Sequence, residues 1–214
     1  MYIKTSEQEV LQLGIGNYSC NWGTHICGLY GSEAERDEIV FGYLKQGFMA
    51  RDKQIYIHSE QSEEDFCQKY NTYCPDCRAK SEDAKLLEIK TAKDMYFPTG
   101  VFDPWYMDTA VNDYYAYTQK DDQCNLRAIA EMAWALEAIP GVEYLFAYES
   151  RLNYFVKDRT VISICLYNVK KISGTMMMNV LQTHPFTING GVITKNPYYI
   201  HPDKWLAENA PQFL

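Results

Sequence analysis

The segment from Thr24 to Glu60 leaves a chain of this kind few folds to choose from. It reads THICGLYGSEAERDEIVFGYLKQGFMARDKQIYIHSE: an apolar run, a Gly-Ser turn, a long amphipathic stretch and a second apolar run. Strand, helix and strand in that order, with a connection this long, predict a right-handed parallel βαβ unit. In nucleotide-binding proteins the turn after such a first strand cradles phosphate on glycine amides and a lysine. Here Gly31 to Glu38 holds one glycine, no lysine and four carboxylates, those of Glu33, Glu35, Asp37 and Glu38. The layout is that of a phosphate site, and its charge repels phosphate. Ser32 and Glu35 have capping-box spacing, so the acidic residues also fit a helix start facing the positive end of the helix dipole.

At 214 residues the chain suits one α/β domain with a substantial core. Alternating strand and helix patterns predict three layers, a mainly parallel sheet with helices on both faces. Residues 1–20 read as an N-terminal lead, with Glu7–Leu13 helical before Gly14 and Gly16. Residues 21–214 read as one domain without linker or repeat. Further strands are expected over 54–58, 86–91, 142–148, 160–167 and 190–200. Helices are expected over 63–70, from Pro104 behind its cap Asp103, and over 126–139, 150–157 and 174–182. The 126–139 segment has the clearest helical pattern. Ile129, Met132, Ala133 and Leu136 line one face and Arg127, Glu131 and Trp134 another, with Pro140-Gly141 as the stop.

A net charge of −8 argues against a surface built for DNA or anionic lipid. Met1 to Leu13 is too polar for a signal sequence, and no apolar run approaches the roughly 18 residues that span a bilayer. Seven cysteines, scattered through expected strands and helices, fit reduced thiols in a cytoplasmic protein better than a disulfide framework. The 18 tyrosines serve either as core filler or as pocket walls.

His25 and Cys27 lie two apart on one face of the first strand, toward the carboxyl end where open α/β sheets bind ligands. Thiol and imidazole together can bind a metal, react, or hold a polar ligand; a buried histidine beside an apolar cysteine is the plainer reading. Arg127 and Glu131 have the i, i+4 spacing of a helix ion pair, and Trp134 on the same face would help line a pocket. Glu149 ends the apolar run YLFAYES, as a ligand anchor or a helix cap. Cys74 and Cys77 form a CxxC for which plain loop cysteines are the plainer reading; with Cys67 and His58 it has the makings of a Cys3His zinc site, and a redox pair is the other alternative. Met176 to Met178 belong to a helix core or an apolar pocket wall. His184 closes that helix. No Ser-His-Asp set, HExxH or GxSxG elbow occurs.

Five stretches taken in order, HICGLYGSEAERDEIVFGYLKQGF, LRAIAEMAW, YESRLN, ICLYN and HPFTINGGVITKNPYYI, resemble the MEDS family, a sensory domain of methanogen and methylotroph regulators. The resemblance covers Asn21 to Pro202. It implies a degenerate relative of the RecA/KaiC-type core, RecA-like without a functional P-loop, that senses a small organic compound, often when fused to DNA-binding, PAS or histidine-kinase modules. Matched residue by residue, it implies ligand-binding roles for His25, Cys27, Tyr30, Glu60, Arg127, Glu131, Trp134, Glu149, Cys165, Tyr167 and His184. Strands ending near Tyr30, Glu149 and Tyr167 would then share one crevice. The expected function is non-catalytic ligand sensing, signalling to a transcriptional or signal-transduction partner as a homodimer or through a separately encoded regulator or kinase. No direct nucleic-acid binding and no cofactor are expected. A divergent nucleotide-dependent or Cys/His enzyme is the alternative, and a zinc-dependent sensor or scaffold on His58, Cys67, Cys74 and Cys77 the second.

Overall fold

The structure, a computed structural model, describes residues 11–16, 19–120 and 125–214. Strands β1 (Leu11–Gln12) and β2 (Ser19–Cys20) form a small antiparallel pair. The expected βαβ unit follows as β3 (Thr24–Tyr30), α1 (Glu33–Ala50) and β4 (Lys53–His58). Ser32 caps α1 by accepting a hydrogen bond from the Glu35 amide, as the capping-box spacing predicts. Next come α2 (Glu63–Tyr73), α3 (Cys77–Asp83), β5 (Leu87–Thr91), α4 (Ala92–Tyr96) and α5 (Pro104–Thr118). Asp103 caps α5 and Pro104 sits in its first turn. The chain continues through β6 (Leu126–Glu131), α6 (Leu145–Lys157), β7 (Val161–Asn168), α7 (Gly174–Thr183), β8 (Phe186–Asn189), β9 (Val192–Lys195) and α8 (Pro202–Asn209).

Seven strands make one sheet in the order β5-β4-β6-β7-β3-β8-β9, parallel throughout except for β9. Each central strand sends alternate residues to opposite faces. Ile26, Ile129, Ile162 and Ile164 pack under α1 and α2 with Leu44, Phe41 and Phe66. Cys27, Ala130, Val161 and Cys165 face the other way, toward α4 to α7 with Tyr96, Met107, Tyr148 and Val180. The sheet is therefore covered on both sides, which explains why its central strands read as continuous apolar runs.

Several segments depart from the sequence expectation. Residues 126–139, expected as a helix, form β6 and a 3-10 turn at Ala133–Leu136. Their alanine, leucine and glutamate favour helix in isolation, but the segment pairs with β4 and β7 in mid-sheet, and that burial overrides propensity. Residues 142–148, expected as a strand, pass through a 3-10 turn at Val142–Tyr144 into α6, burying Leu145, Tyr148, Leu152 and Val156 at helical spacing. Glu149 thus sits inside a helix rather than at a strand end. The expected strand over 190–200 is the short hairpin β8–β9, turning at Gly190 and Gly191 with positive φ. Of the expected helix at 7–13, residues 7–10 lie outside the described residues, and Leu11–Gln12 is strand.

Candidate functional site

On the face beneath α6 and α7, four elements bring polar side chains to one point. β3 supplies His25, β7 supplies Cys165 and Tyr167, α6 supplies Glu149, and the end of α7 supplies His184. The apolar stripe of α6 turns inward and carries Glu149 with it, fully buried. The Glu149 carboxylate accepts from the Tyr167 hydroxyl through Oε1 at 3.0 Å. Its Oε2 lies 3.2 Å from His25 Nε2 and 3.4 Å from His184 Nε2. Cys165 Sγ is 3.6 Å from the same oxygen and 3.4 Å from His25 Nε2. The two imidazole rings stack obliquely, centroids 4.0 Å apart.

Electrostatics here are those of a dry, coupled group. Burial alone would raise the Glu149 carboxyl, but the His184 and His25 imidazoles beside it outweigh that and hold the group far below the ordinary carboxylate range. Burial, reinforced by the neighbouring His184 ring, pushes His25 down to about 4 despite Glu149. Burial and the Glu149 charge push the Cys165 thiol well up. Asn153 braces the group, its amide nitrogen reaching the carbonyls of Glu149, Ser150 and Thr183 at 3.1, 3.1 and 2.8 Å.

A second polar group closes the carboxyl end of the sheet. Glu131 ends β6 and accepts from the amides of Ser59 and Glu60 at 2.7 and 2.6 Å and from the Tyr56 hydroxyl at 2.7 Å. Arg36 of α1 lies 3.4 Å from the same carboxylate. Glu60 accepts from the Tyr30 hydroxyl and from Lys171 Nζ, the latter at 2.5 Å. At the turn, the Gly31 amide donates to Glu35 Oε2 at 2.6 Å. The position where a phosphate would rest is thus occupied by the chain's own carboxylates.

The expected residues therefore divide rather than share one crevice. His25, Glu149, Cys165, Tyr167 and His184 converge; Tyr30, Glu60 and Glu131 belong to the sheet end. Cys27 lies opposite Cys165 in the β3–β7 register, a buried thiol beside the first group. His25 is the second residue of β3, so the pair sits under the helices and not at the carboxyl end. Arg127 and Glu131 share a face of β6, but four residues along a strand span about 13 Å, too far to pair. Each has its own partner, and Arg127 takes Asp52 at 2.7 Å on the opposite face from His25. Trp134 packs among Tyr96, Phe97 and Phe102.

The expected zinc set does not assemble among the described residues. Cys74 and Cys77 are joined in a disulfide, which corrects the reading of them as reduced thiols and removes two ligands. His58 Nδ1 lies 2.9 Å from the Gln61 carbonyl. Arg36, Tyr56, Asn153 and Asp52 were not singled out in the sequence. Arg36 carries the one usable signal, a lone cation in an otherwise acidic helix start.

Beside the first group lies a mostly apolar cavity of about 50 Å³ beneath α5 and α6. Ile55, Ile57, Ala128 and Ala130 form its floor, and Tyr96, Tyr114, Tyr148 and Leu152 its walls. Ser163, which lines it, neighbours Cys165 on the same face of β7. One water needs roughly 10–15 Å³ on the same measure, so the space admits a molecule of a few heavy atoms.

Solved structures share the fold. A KaiC-like protein, PH0186 from Pyrococcus horikoshii OT3, superposes with a TM-score of 0.58 at 12% identity, covering 83% of this chain and 78% of that one. The flagellar accessory protein FlaH from Methanocaldococcus jannaschii gives 0.54 at 16% identity, covering 86% and 84%. The architecture is RecA-like. In sequence, the chain is 23% identical over 164 residues to the transcriptional repressor DcmR of Methylorubrum extorquens, a match that takes in 76% of this chain and 58% of that protein. The chain thus spans under two thirds of that relative's length. Residues 24–185, from β3 to the start of β8, match the family described as the MEthanogen/methylotroph, DcmR Sensory domain. A RecA-like sheet whose phosphate end is filled by its own carboxylates, matched over that whole span, belongs to the MEDS family of sensory domains.

Proposed function

We propose that this domain senses a small organic molecule, held in the cavity beneath α5 and α6, and passes its occupancy to a transcriptional or signal-transduction partner. The cavity itself carries the reading. It is apolar over most of its surface, it is sized for a few heavy atoms, and its Ser163 edge borders the buried polar group. That combination suits a ligand with a short hydrocarbon body and one polar end. The similarity to a transcriptional repressor supports a regulatory output. A self-neutralised sheet end, with Gly31 bonded to Glu35, supports a ligand other than nucleotide.

A thermal-shift screen of short alcohols, amines and ketones tests the proposal. Ligand binding only the folded state stabilises it by about 2.7 kcal/mol at 100 times its Kd. Ala130→Leu, which puts a larger side chain on the cavity floor, is expected to abolish the shift while costing under about 3 kcal/mol of stability. A shift that survives Ala130→Leu in full would place the ligand elsewhere.

A further inference from the structure

His25 Nε2, Glu149 Oε2, Cys165 Sγ and His184 Nε2 all lie within 4.8 Å of one another, and every one of the four residues is buried. Four of the six separations, those of Glu149 to the other three and of His25 to Cys165, run from 3.2 to 3.6 Å. Around zinc, bonds of about 2.0–2.1 Å to nitrogen or oxygen and about 2.3 Å to sulfur give tetrahedral edges of roughly 3.3–3.7 Å. Those four distances match tetrahedral edges, and the remaining two lie within 4.8 Å.

Proton bookkeeping points the same way. His184 Nδ1 lies 2.8 Å from the Val180 carbonyl, which can only accept, so Nδ1 carries the ring proton of the neutral imidazole. The Nε2 lone pair then faces Glu149 Oε2, a second acceptor, and has no hydrogen-bond partner. Two acceptors opposed in a buried layer are costly unless a proton or a cation lies between them. A proton on His184 relieves that one pair; a metal ion would satisfy all four groups at once. Two of the four ligands are held from outside the cluster, as metal ligands commonly are. The Val180 carbonyl and Thr183 Oγ1 fix the His184 ring, and the Tyr167 hydroxyl takes Glu149 Oε1, leaving Oε2 directed at the cluster.

We propose that His25, Glu149, Cys165 and His184 form a four-coordinate site for Zn²⁺ or a first-row neighbour. Two imidazoles, a thiolate and a carboxylate are borderline donors, unsuited to magnesium or calcium, which take oxygen shells. With all four positions filled by protein, the ion is structural and ties β3, β7, α6 and α7 together. Cys27, on the neighbouring strand, is outside the set.

Metal content is read without any organic ligand, so this site and the sensing proposal stand or fall separately. Tag-free protein, stripped with chelator and reloaded with Zn²⁺, is expected to retain one equivalent per chain by plasma mass spectrometry. Cys165→Ser and His184→Gln are expected to lose it, and Cys77→Ser to keep it. Because a ligand variant can unfold, Co²⁺ is loaded into the wild-type chain as well. The expected signature is the intense ligand-field absorption of tetrahedral Co²⁺ with a thiolate charge-transfer band. Tyr167→Phe, which keeps every ligand, is expected to weaken Zn²⁺ binding by about 10–100-fold. Folded wild-type protein that retains no Zn²⁺ or Co²⁺ overturns the proposal. So does metal lost with Cys77→Ser but kept with Cys165→Ser, or a cobalt spectrum without the thiolate band.

Discussion

Arg127 was expected to touch ligand, and the structure assigns it different work. Its Nε donates to Asp52 Oδ2 at 2.7 Å and its Nη2 to the Gln12 carbonyl at 3.0 Å, with the guanidinium 5.3 Å from the centre of the Tyr43 ring. Arginine and aspartate are both buried, and Asp52 also accepts from the Asn125 side chain at 3.0 Å. Arg127→Met keeps most of the aliphatic stem and removes the charge. The carboxylate left behind is a buried, uncompensated ion, for which the cost is about 3–5 kcal/mol. At about 2–4 °C per kcal/mol for a chain of this size, the melting temperature is expected to fall by roughly 6–20 °C. Circular dichroism melts of the wild type, Arg127→Met, Asp52→Leu and the double variant form a thermodynamic cycle. The double variant is expected to recover much of the loss, since replacing both partners of a buried pair by apolar groups is often close to neutral. Additive losses, or an Arg127→Met variant that melts with the wild type, would refute the reasoning. Any ligand-induced shift is expected to persist in Arg127→Met, because the cavity lies on the other face of the sheet.

Three further outcomes are expected. Gly14→Ala places a Cβ 2.1 Å from the Gly42 carbonyl oxygen at a backbone φ of +75°. It is expected to cost about 1–3 kcal/mol by overpacking and about 1–2 more for the left-handed conformation, read as a lower urea midpoint. Mg-ATP is expected to leave the melting temperature unchanged, since the Gly31 amide is already bonded to Glu35; a saturable shift would contradict that account. Burial raises the Glu60 carboxyl, but Lys171 and Tyr30 outweigh it and hold the group below its ordinary value. The stability this lends is present above the unfolded carboxylate pKa and is lost as pH falls through the depressed folded value. Glu60→Gln is therefore expected to flatten the acid side of the stability profile, and an unchanged acid limb would argue against the pairing.

The βαβ unit was legible because each of its signals is local: two β-rich runs, a capping box and an amphipathic stripe between them. Residues 126–131 were not, because their composition favours helix and only the strands on either side of β6 decide otherwise. The error then propagated into the site. A helix would hold Arg127 and Glu131 in contact; a strand separates them and gives one to Asp52 and the other to Arg36 and the Ser59 and Glu60 amides. His25, Cys165, Glu149 and His184 were each singled out by residue type or by resemblance. Their convergence was invisible, because it depends on β3 lying beside β7 and on Glu149 riding a helix across both strands.

The two polar groups together indicate how such a domain can respond to a ligand at all. At the sheet end, Glu35, Glu60 and Glu131 already satisfy the amides, Lys171 and Arg36, so an anion arriving there displaces bonds and gains little. Beneath α5 and α6 the situation differs: the cavity lining is mostly apolar, with Ser163 at one edge. Occupancy can shift a conformational equilibrium only through different affinity for the two states. A cavity roofed by helices meets that condition directly, since its volume depends on where α5 and α6 sit against the sheet. The buried cluster fixes one side of that roof, because Glu149 is part of α6 and is held to β3, β7 and the end of α7. α5 is tied in turn to α6 and the residues just after it, Asp108 to Arg151 at 2.6 Å and Asn112 to Arg159 at 2.8 Å, so a shift of α5 against the sheet would have to strain those bonds.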